Sequence, residues 1–252
     1  MADRSVLVTR PLGQAESLCQ HLQAQGYSPV HQPMLTIEQS PQPEPLQRQL
    51  LMNLDQYQHL IFISGNAIRC GMAWIEQFWP QLPVGLRWYT IGAASAKLLS
   101  SYGISPIHPQ QMNSEGLLAL PELQSLRDAR VLIIKGDGGR AHLLQQLQDR
   151  GARVEELCAY QRRPPQLLAA DFQEQLREHN FSAILLSSGE GLDNMMSLLG
   201  EQGAELVAQS LIVVPGERVA ESAAQNGFRN IVTADNATDE AMLRALTKNC
   251  SN

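Results

Sequence analysis

Short apolar runs alternate with helical stretches along most of the chain. The runs are rich in Leu, Ile and Val, as expected of strands that a parallel sheet buries on both faces. The stretches between them have apolar residues at helical spacing, and two of them end at Gly26 and Gly151, which suit the position after a helix. This alternation predicts the α/β class with open parallel sheets. The predicted strands are residues 5–9, 60–64, 88–91, 131–134, 183–187 and 211–214.

The pattern repeats once along the chain. Residues 6–10 and 131–135 both open a strand–loop–helix unit, and further matches follow at offsets of 123 to 125 residues. Any single match could come from generic βα units in chance register, but several at a nearly constant offset indicate duplicated structure. We therefore predict two similar α/β lobes. The matching pairs are Gly13 with Gly138, Leu18 with Leu143, Leu22 with Leu147, Gly26 with Gly151, residues 61–64 with 184–187, Gly92 with Gly216, Ala96 with Ala220, and Gly103 with Gly227.

Two proline-rich stretches suggest lobe boundaries away from the midpoint. They lie at residues 40–45 and 162–165, and such segments are typical of linkers. A discontinuous lobe (residues 1–36 and 166–252) enclosing a continuous one (residues 41–159) would explain both stretches. The interdomain linker strands are then residues 37–40 and 160–165, and we expect a ligand in the cleft beside this hinge.

Composition narrows the classes of partner. The 252 residues are 44% hydrophobic and 17% charged, which is sufficient for a buried core and unlike a disordered chain. A net charge of -6 and 5% aromatic residues argue against nucleic acid as a partner. No apolar run approaches the roughly 20 residues that span a bilayer, and no signal peptide is recognisable.

Four scattered cysteines favour free thiols in the cytoplasm. A monomer is the default, because no long exposed apolar stripe is recognisable.

Small hydroxyl, glycine and basic residues follow the predicted strands. In open α/β sheets, ligands bind outside the carboxyl ends of the strands, where helix N-termini present free N–H groups. Tight turns would explain any single loop, but the set across both lobes favours a polar cleft that accepts anions such as carboxylates. Arg140 has a second interpretation, a solvated arginine at the start of a helix. The candidate binding residues are Arg10, Ser64, Gly92, Ser95, Lys135, Arg140, Ser187, Ser188, Gly189, Gly216 and Arg218.

Tyr160 is the candidate catalytic residue, and it has two interpretations. It lies where the chain leaves the enclosed lobe, so its ring could pack at the hinge, or its hydroxyl could orient a substrate or transfer a proton. The six histidines lack metal-ligand spacing, and no phosphate loop or nucleophile elbow is present. The sequence therefore predicts neither a metal nor an organic cofactor.

Several of these segments together resemble uroporphyrinogen III synthases. They run in the family's order along nearly the whole chain, at residues 6–11, 61–67, 91–96, 113–118, 131–140, 159–162 and 187–189. One loop departs from the family: where Ile-Gly-x-x-Thr-Ala is common, this chain has Pro215-Gly216-Glu217-Arg218-Val219-Ala220. In the matching loop, Ser95 stands where the family commonly has Thr.

The resemblance implies two flavodoxin-like α/β lobes joined by a two-stranded linker, and a cyclising hydro-lyase without a cofactor. The implied reaction turns hydroxymethylbilane into uroporphyrinogen III, with loss of water and inversion of ring D, in heme and siroheme biosynthesis. The usual proposal passes through an azafulvene cation and a spiro-pyrrolenine. Transient contact with the preceding or following pathway enzymes is compatible with this role.

The rival hypothesis from another class is a noncatalytic two-lobed cytoplasmic protein that binds or senses a small polyanionic ligand, because fold does not fix function.

Overall fold

The computed structural model describes residues 4–138 and 141–249. The chain divides into two compact units: the first takes the chain up to Thr36 and again from Arg163, and the second comprises Ile37–Arg162. The strands within the described residues are β1 Ser5–Val8, β2 Ser28–His31, β3 Thr36–Glu38, β4 His59–Phe62, β5 Arg87–Thr90, β6 Arg130–Gly136, β7 Arg153–Arg163, β8 Ala183–Leu185, β9 Leu211–Val214 and β10 Ile231–Thr233.

Helices connect these strands in both units. The helices of the described chain are α1 Glu16–Ala24, α2 Pro45–Met52, α3 Gly65–Phe78, α4 Ala93–Ser100, α5 Ser114–Leu118, α6 His142–Asp149, α7 Ala169–His179, α8 Gly189–Gly203, α9 Glu217–Gln225 and α10 Asp239–Asn249. Short 3₁₀ turns add Leu54–Gln56, Pro121–Leu123 and Ala204–Val207. The α/β class predicted from the sequence is therefore confirmed.

Each unit is built on one sheet of five strands. The first sheet has the order β10-β9-β8-β1-β2, and the second has the order β3-β7-β6-β4-β5. The strand pairs from β10 to β2 in the first sheet, and from β7 to β5 in the second, are parallel. The first sheet has the flavodoxin-like order, and β4 to β7 follow the same course in the second. In this order, successive strands are added first on one side of the starting strand and then on the other. The change of side falls between β1 and β8 in the first sheet and between β4 and β6 in the second, and α/β proteins commonly bind ligands at such a point.

All six predicted strands are present, as β1, β4, β5, β6, β8 and β9. Apolar runs did not identify β2, β3, β7 and β10, although β3 and β7 overlap the predicted linker strands. Three of these lie at sheet edges, and β2 contains Pro29, which an edge strand tolerates because its N–H side can face solvent. The fourth, β7, has a short apolar run at residues 157–160, but Glu155 and Glu156 precede it and Gln161, Arg162 and Arg163 follow it, so it does not read as a buried strand. Residues predicted as linker strands, 37–38 and 160–163, lie in β3 and β7, which are neighbours in the second sheet.

Helices cover both faces of each sheet. In the first unit, α7, α8 and α9 pack on one face and α1 and α10 on the other. In the second unit, α2, α3 and α4 share a core with one face, whereas α5 and α6 share a core with the opposite face. Alternate residues of a strand point to opposite faces. Ile134 and Phe62 therefore belong to the α3 side, and Ile133 and Ile61 to the α6 side.

The glycines of the predicted repeat adopt matching backbone conformations. Gly26 and Gly151, at φ +79 and +92, both follow the C-terminal end of a helix in the left-handed region. Gly103 and Gly227 match in the same way, at φ +76 and +91. Non-glycine residues rarely adopt this conformation, so these pairs mark equivalent helix ends.

Candidate functional site

The candidate residues of the second unit lie at the carboxyl ends of its strands. Ser64 follows β4, Gly92 and Ser95 follow β5, Lys135 is near the end of β6, and Tyr160 lies in β7. Because β5, β4, β6 and β7 are neighbours, these residues share one edge of the sheet.

An irregularity in β7 directs the side chain of Tyr160. Lys135 pairs with Cys158 but Gly136 pairs with Tyr160, so Ala159 is an extra residue in the ladder. Such bulges re-aim a side chain and occur often beside active sites. Here the phenol ring lies against Gly136, where an added Cβ would be 2.5 Å from Tyr160 Cζ.

The Tyr160 hydroxyl forms a hydrogen bond at this edge. It lies 3.2 Å from Ser64 Oγ, and either oxygen can donate. Ser64 Oγ also accepts a hydrogen bond of 3.1 Å from the Ala67 N–H, as the N-cap of α3. When Ser64 donates its hydrogen to Tyr160, the phenolic hydrogen is available for another acceptor. The pair can therefore deliver a proton or a hydrogen bond to a ligand at the edge.

Burial keeps the Tyr160 phenol protonated. Its ring packs in the core on the α3 side and only 7% of the residue is exposed. Burial raises the pKa of Tyr160, while the hydrogen bond with Ser64 and the charge of Arg162 act in the opposite direction and do not cancel it. The ring of Tyr160 is thus packed in the core, while its hydroxyl lies beside Ser64 at the edge of the sheet.

Lys135 is already paired in the structure. Its Nζ donates to Glu156 Oε1 over 3.0 Å, and its side chain is 14% exposed. Glu156 was not a candidate from the sequence. It lies two residues before Cys158, the residue of β7 that pairs with Lys135, and the charges in the middle of β7 were the only available signal.

The Lys135–Glu156 pair lines a cavity of about 660 Å³ on the α6 side of the second sheet. This volume is in the range of small-molecule sites, about 300–1,000 Å³. The apolar wall is formed by Ile63, Ile91, Ile133, Leu143 and Leu144. The polar lining consists of Asn113, Ser114, Glu115, Lys135, His142 and Glu156.

The cavity and Tyr160 come near each other at the strand ends. Ile63 lines the cavity and the next residue, Ser64, contacts Tyr160. Likewise Lys135 lines the cavity and the next residue, Gly136, contacts the Tyr160 ring. Because neighbouring residues of a strand point to opposite faces, the two features lie on opposite sides of the sheet and share its carboxyl edge.

In the first unit, Arg10 has internal partners. Its guanidinium donates to the Asp239 carboxylate, to the Ala237 carbonyl over 2.6 Å and to the Gln14 carbonyl over 3.4 Å. Burial raises the pKa of Asp239. The hydrogen bond from Ser17 and the charge of Arg10 lower this pKa by more than burial raises it, so the net pKa is below its usual range. Arg10 therefore fastens the end of β1 to the start of α10.

The remaining candidates of the first unit start helices. Ser188 Oγ accepts a 3.0 Å hydrogen bond from the Gly191 N–H at the start of α8, where Ser187 and Gly189 flank it. Gly216 precedes α9, and Arg218 is exposed in the first turn of that helix. In the second unit, Gly139 of the Gly-rich loop and the candidate Arg140 lie outside the described residues.

Residues 4–138 and 141–249 contain neither a metal site nor a membrane span. No group of three or more His, Cys, Asp or Glu side chains in that part of the chain could hold a metal ion. No helix there has the length and apolar character needed to cross a bilayer.

Comparisons with known proteins point to one family. The family model described as uroporphyrinogen-III synthase HemD matches residues 16–244. The uroporphyrinogen-III synthase of Escherichia coli (strain K12) is 33% identical over 249 residues, 96% of this chain and 99% of that protein. That of Salmonella typhimurium is 32% identical over 246 residues, again 96% and 99% of the two chains. A mutant uroporphyrinogen III synthase from the extremely thermophilic bacterium Thermus thermophilus has the same fold, with a TM-score of 0.62 at 19% identity over 97% of this chain and 99% of that one.

Proposed function

The chain belongs to the uroporphyrinogen-III synthase family, and we propose that it cyclises hydroxymethylbilane to uroporphyrinogen III, with Tyr160 assisting the loss of water. Its enzyme class is that of the family, a cyclising lyase acting on a small molecule. The observation that supports a role for Tyr160 is its hydroxyl, held 3.2 Å from Ser64 Oγ at the carboxyl edge of the second sheet.

The protein has to control the isomer as well as the rate. Hydroxymethylbilane closes spontaneously to the unrearranged isomer I, so an enzyme that makes isomer III must hold ring D with its substituted carbon facing the ring A methylene. Such a task depends on proximity and orientation. Each unit has a strand-end loop with a fixed hydroxyl group and N–H groups that suit a carboxylate: Ser64 caps the loop of the second unit, and Ser188 that of the first.

Tyr160 supplies a proton or a hydrogen bond to the departing hydroxyl group. The phenol is protonated at neutral pH, and its raised pKa favours donating a hydrogen bond over releasing the proton completely. Ser64 can return a hydrogen bond to the phenolic oxygen as negative charge grows there. A substrate carboxyl group with bound water is a second proton source, so we propose that Tyr160 assists without being indispensable.

Replacing Tyr160 with Phe tests this role. We expect the rate to fall by about 10- to 100-fold, at or below the usual contribution of a general acid, because the ring still packs on Gly136 while the donor is lost. Since spontaneous closure then competes, the fraction of isomer I should rise. The measurement supplies fresh hydroxymethylbilane, oxidises the products to porphyrins and resolves isomers I and III.

Tyr102→Phe is the matched control, because Tyr102 packs against the same core cluster as Tyr160 but outside the strand-end site. It should leave rate and isomer ratio unchanged. Unchanged rate and isomer ratio in Tyr160→Phe would remove Tyr160 from the mechanism. Only isomer I at the spontaneous rate with the unaltered protein would reject the synthase activity and favour a noncatalytic binding protein.

We further propose that the protein works in the cytoplasm as a monomer, in transient contact with the preceding or following pathway enzymes. Free thiols at Cys19, Cys70 and Cys158 support a reducing compartment. Light scattering after size-exclusion chromatography would give the mass of the particle and test the monomer.

A further inference from the structure

The described residues that line the cavity of the second unit include more acidic than basic side chains, which disfavours a polyanionic ligand. Among its described lining residues, Lys135 is the one Lys or Arg, while Glu115 and Glu156 are both acidic. The Lys135 charge is moreover held by Glu156, at 3.0 Å. A carboxylate of the substrate would therefore meet a site whose cation is already neutralised.

The two side chains of this ion pair differ in their exposure to solvent. The Lys135 side chain is 14% exposed, whereas that of Glu156 is 34% exposed. Lys135 also lies near the carboxyl end of β6, at the edge of the sheet where α/β proteins bind ligands. Glu156 pairs with Ile133, two residues farther from that edge. Glu156 can thus move into solvent more easily than Lys135 can leave the cavity.

We propose that Lys135 binds a carboxylate of the tetrapyrrole substrate by exchange, with Glu156 as the internal carboxylate that occupies Lys135 until the substrate arrives. The inference rests on the proposed function for the identity of the substrate. No covalent bond is made or broken: one charge-assisted hydrogen bond, from Lys135 Nζ to Glu156, is replaced by another from Lys135 Nζ to the substrate.

The rest of the cavity fits a substituted pyrrole. Ile63, Ile91 and Leu143 form an apolar wall suited to the ring. Lys135, Ser114 and His142 supply polar groups for the ring's substituents. Glu156 would have two effects in such a cavity. Ligands without a carboxylate would not displace it from Lys135, and ligands with a carboxylate would bind more weakly because they have to compete with it.

Glu156→Gln distinguishes this exchange from a purely structural ion pair. The variant keeps the size of the side chain but removes the competing charge, so the KM for hydroxymethylbilane should fall by about two- to fivefold, the range for a partly exposed ion pair. The kcat should stay within about twofold, because the substitution leaves the Tyr160–Ser64 pair in place. A merely structural pair would leave KM unchanged or raise it.

Glu155→Gln is the matched control. Glu155 is the preceding residue of β7 and also forms an ion pair, accepting from Arg130 over 2.9 Å and from the Tyr57 hydroxyl over 2.7 Å. It does not line the cavity. Its replacement changes the net charge by the same amount, so its KM should not fall. An equal fall in both variants would assign the effect to bulk charge and overturn the proposal.

The double variant tests exchange against simple repulsion. Lys135→Gln alone should raise KM by about tenfold or more, because a charge-assisted hydrogen bond is lost. In that background, Glu156→Gln should no longer improve KM. If it improves KM as much as in the unaltered protein, Glu156 only repels the substrate and the exchange is wrong.

Failure of the proposed function would be recognised separately. The unaltered protein is assayed first, and isomer III above the spontaneous background establishes the reaction before any variant is compared. With isomer III formed, an unchanged KM in Glu156→Gln rejects the exchange alone.

Discussion

Gly136 is required by its contact with Tyr160 rather than by its own backbone. A Cβ on this residue would lie 2.5 Å from Cζ, 2.6 Å from Cε2 and 3.0 Å from the hydroxyl of Tyr160. The phenol is buried and cannot move away freely. Gly136 therefore sets how closely the tyrosine ring approaches the strand.

We predict that Gly136→Ala destabilises the protein by about 1–3 kcal/mol, the usual result of overpacking a core. It should also reduce synthase activity, because the Tyr160 hydroxyl is displaced from Ser64. The free energy of unfolding in urea and the isomer assay would measure the two effects.

A double-mutant cycle assigns the effect to this one contact. In a Tyr160→Ala background, Gly136→Ala should cost less than about 0.5 kcal/mol, because the clashing ring is gone. Gly189→Ala serves as control, since its Cβ would meet only Val219 Cγ2, at 4.0 Å. An undiminished cost without the ring would show that the strand itself resists the substitution.

Helix α3 packs very closely on the second sheet at Gly71. A Cβ there would lie 2.8 Å from Ile134 Cγ2 in β6 and 3.1 Å from Phe62 Cε1 in β4. Both neighbours are fully buried and cannot give way cheaply. The glycine thus serves helix–sheet packing, even though glycine is a poor helix former.

We predict that Gly71→Ala destabilises the protein by up to about 2 kcal/mol. Alanine gains about 1 kcal/mol in helix propensity, but the clash with Ile134 costs about 1–3 kcal/mol and outweighs the gain over most of that range. Gly65→Ala in the same helix should be neutral or stabilising, because its Cβ meets only the flexible end of Arg69 at 3.3 Å and Leu98 at 3.7 Å. Stabilisation by Gly71→Ala in urea unfolding would contradict the packing argument.

Apolar runs reveal central strands and hide the others. Strands such as β1 and β6 are buried on both faces, so their composition alone predicts them. The edge strand β10 has three residues, all half-buried, and the short apolar run of β7 lies between charged and polar residues. Their positions depend on pairing with neighbours distant in sequence, which a local pattern does not contain.

The candidate site shows the same division. Ser64, Lys135 and Tyr160 were candidates because of their positions near strand ends in the sequence. Their roles remain predictions. The contacts that give these residues their chemistry are long-range: Glu156 reaches Lys135 from the neighbouring strand, and Tyr160 reaches Ser64 across 96 positions. The extra residue Ala159, which aims Tyr160, is visible only in the pairing register.

The repeat explains how the chain is shared between the units. Its pairs are β1 with β6, β4 with β8, and β5 with β9. These pairs keep the same neighbours: β1 lies beside β8 as β6 lies beside β4, and β8 lies beside β9 as β4 lies beside β5. Each half of the chain therefore contributes strands to both sheets. A chain duplicated in this way has to pass twice from one unit to the other.

Acid should affect the two units in different pH ranges. His59, in β4 of the second unit, is 6% exposed, and its Nδ1 lies 3.0 Å from the Tyr89 hydroxyl. Burial, with the charge of Arg87, lowers its pKa from 6.5, against the opposing charge of Glu122. In the first unit, Asp239 has a pKa below 3.8 because the hydrogen bonds from Ser17 and Arg10 outweigh burial.

The signs follow from proton binding. Below pH 6.5 the unfolded second unit takes up a proton at His59 that the folded unit resists, so its stability is complete above 6.5 and falls as the pH drops toward the folded pKa. The stabilisation from Asp239 is complete above 3.8 and is lost only below that value. Between about pH 6.5 and 5.5, His59 therefore destabilises the second unit, whereas Asp239 leaves the stability of the first unit unchanged.

We predict that amide protection in β4 and β5 falls between about pH 6.5 and 5.5, by at most about tenfold, the limit for one proton over one pH unit. Protection in β1 and β8 should stay constant. Hydrogen exchange corrected for intrinsic rates measures both sheets in one sample. In His59→Asn, which cannot take up the proton, the fall in β4 and β5 should vanish. An equal fall in that variant would assign the acid sensitivity to another group, and an equal fall in both sheets would show that the two units do not respond to acid separately.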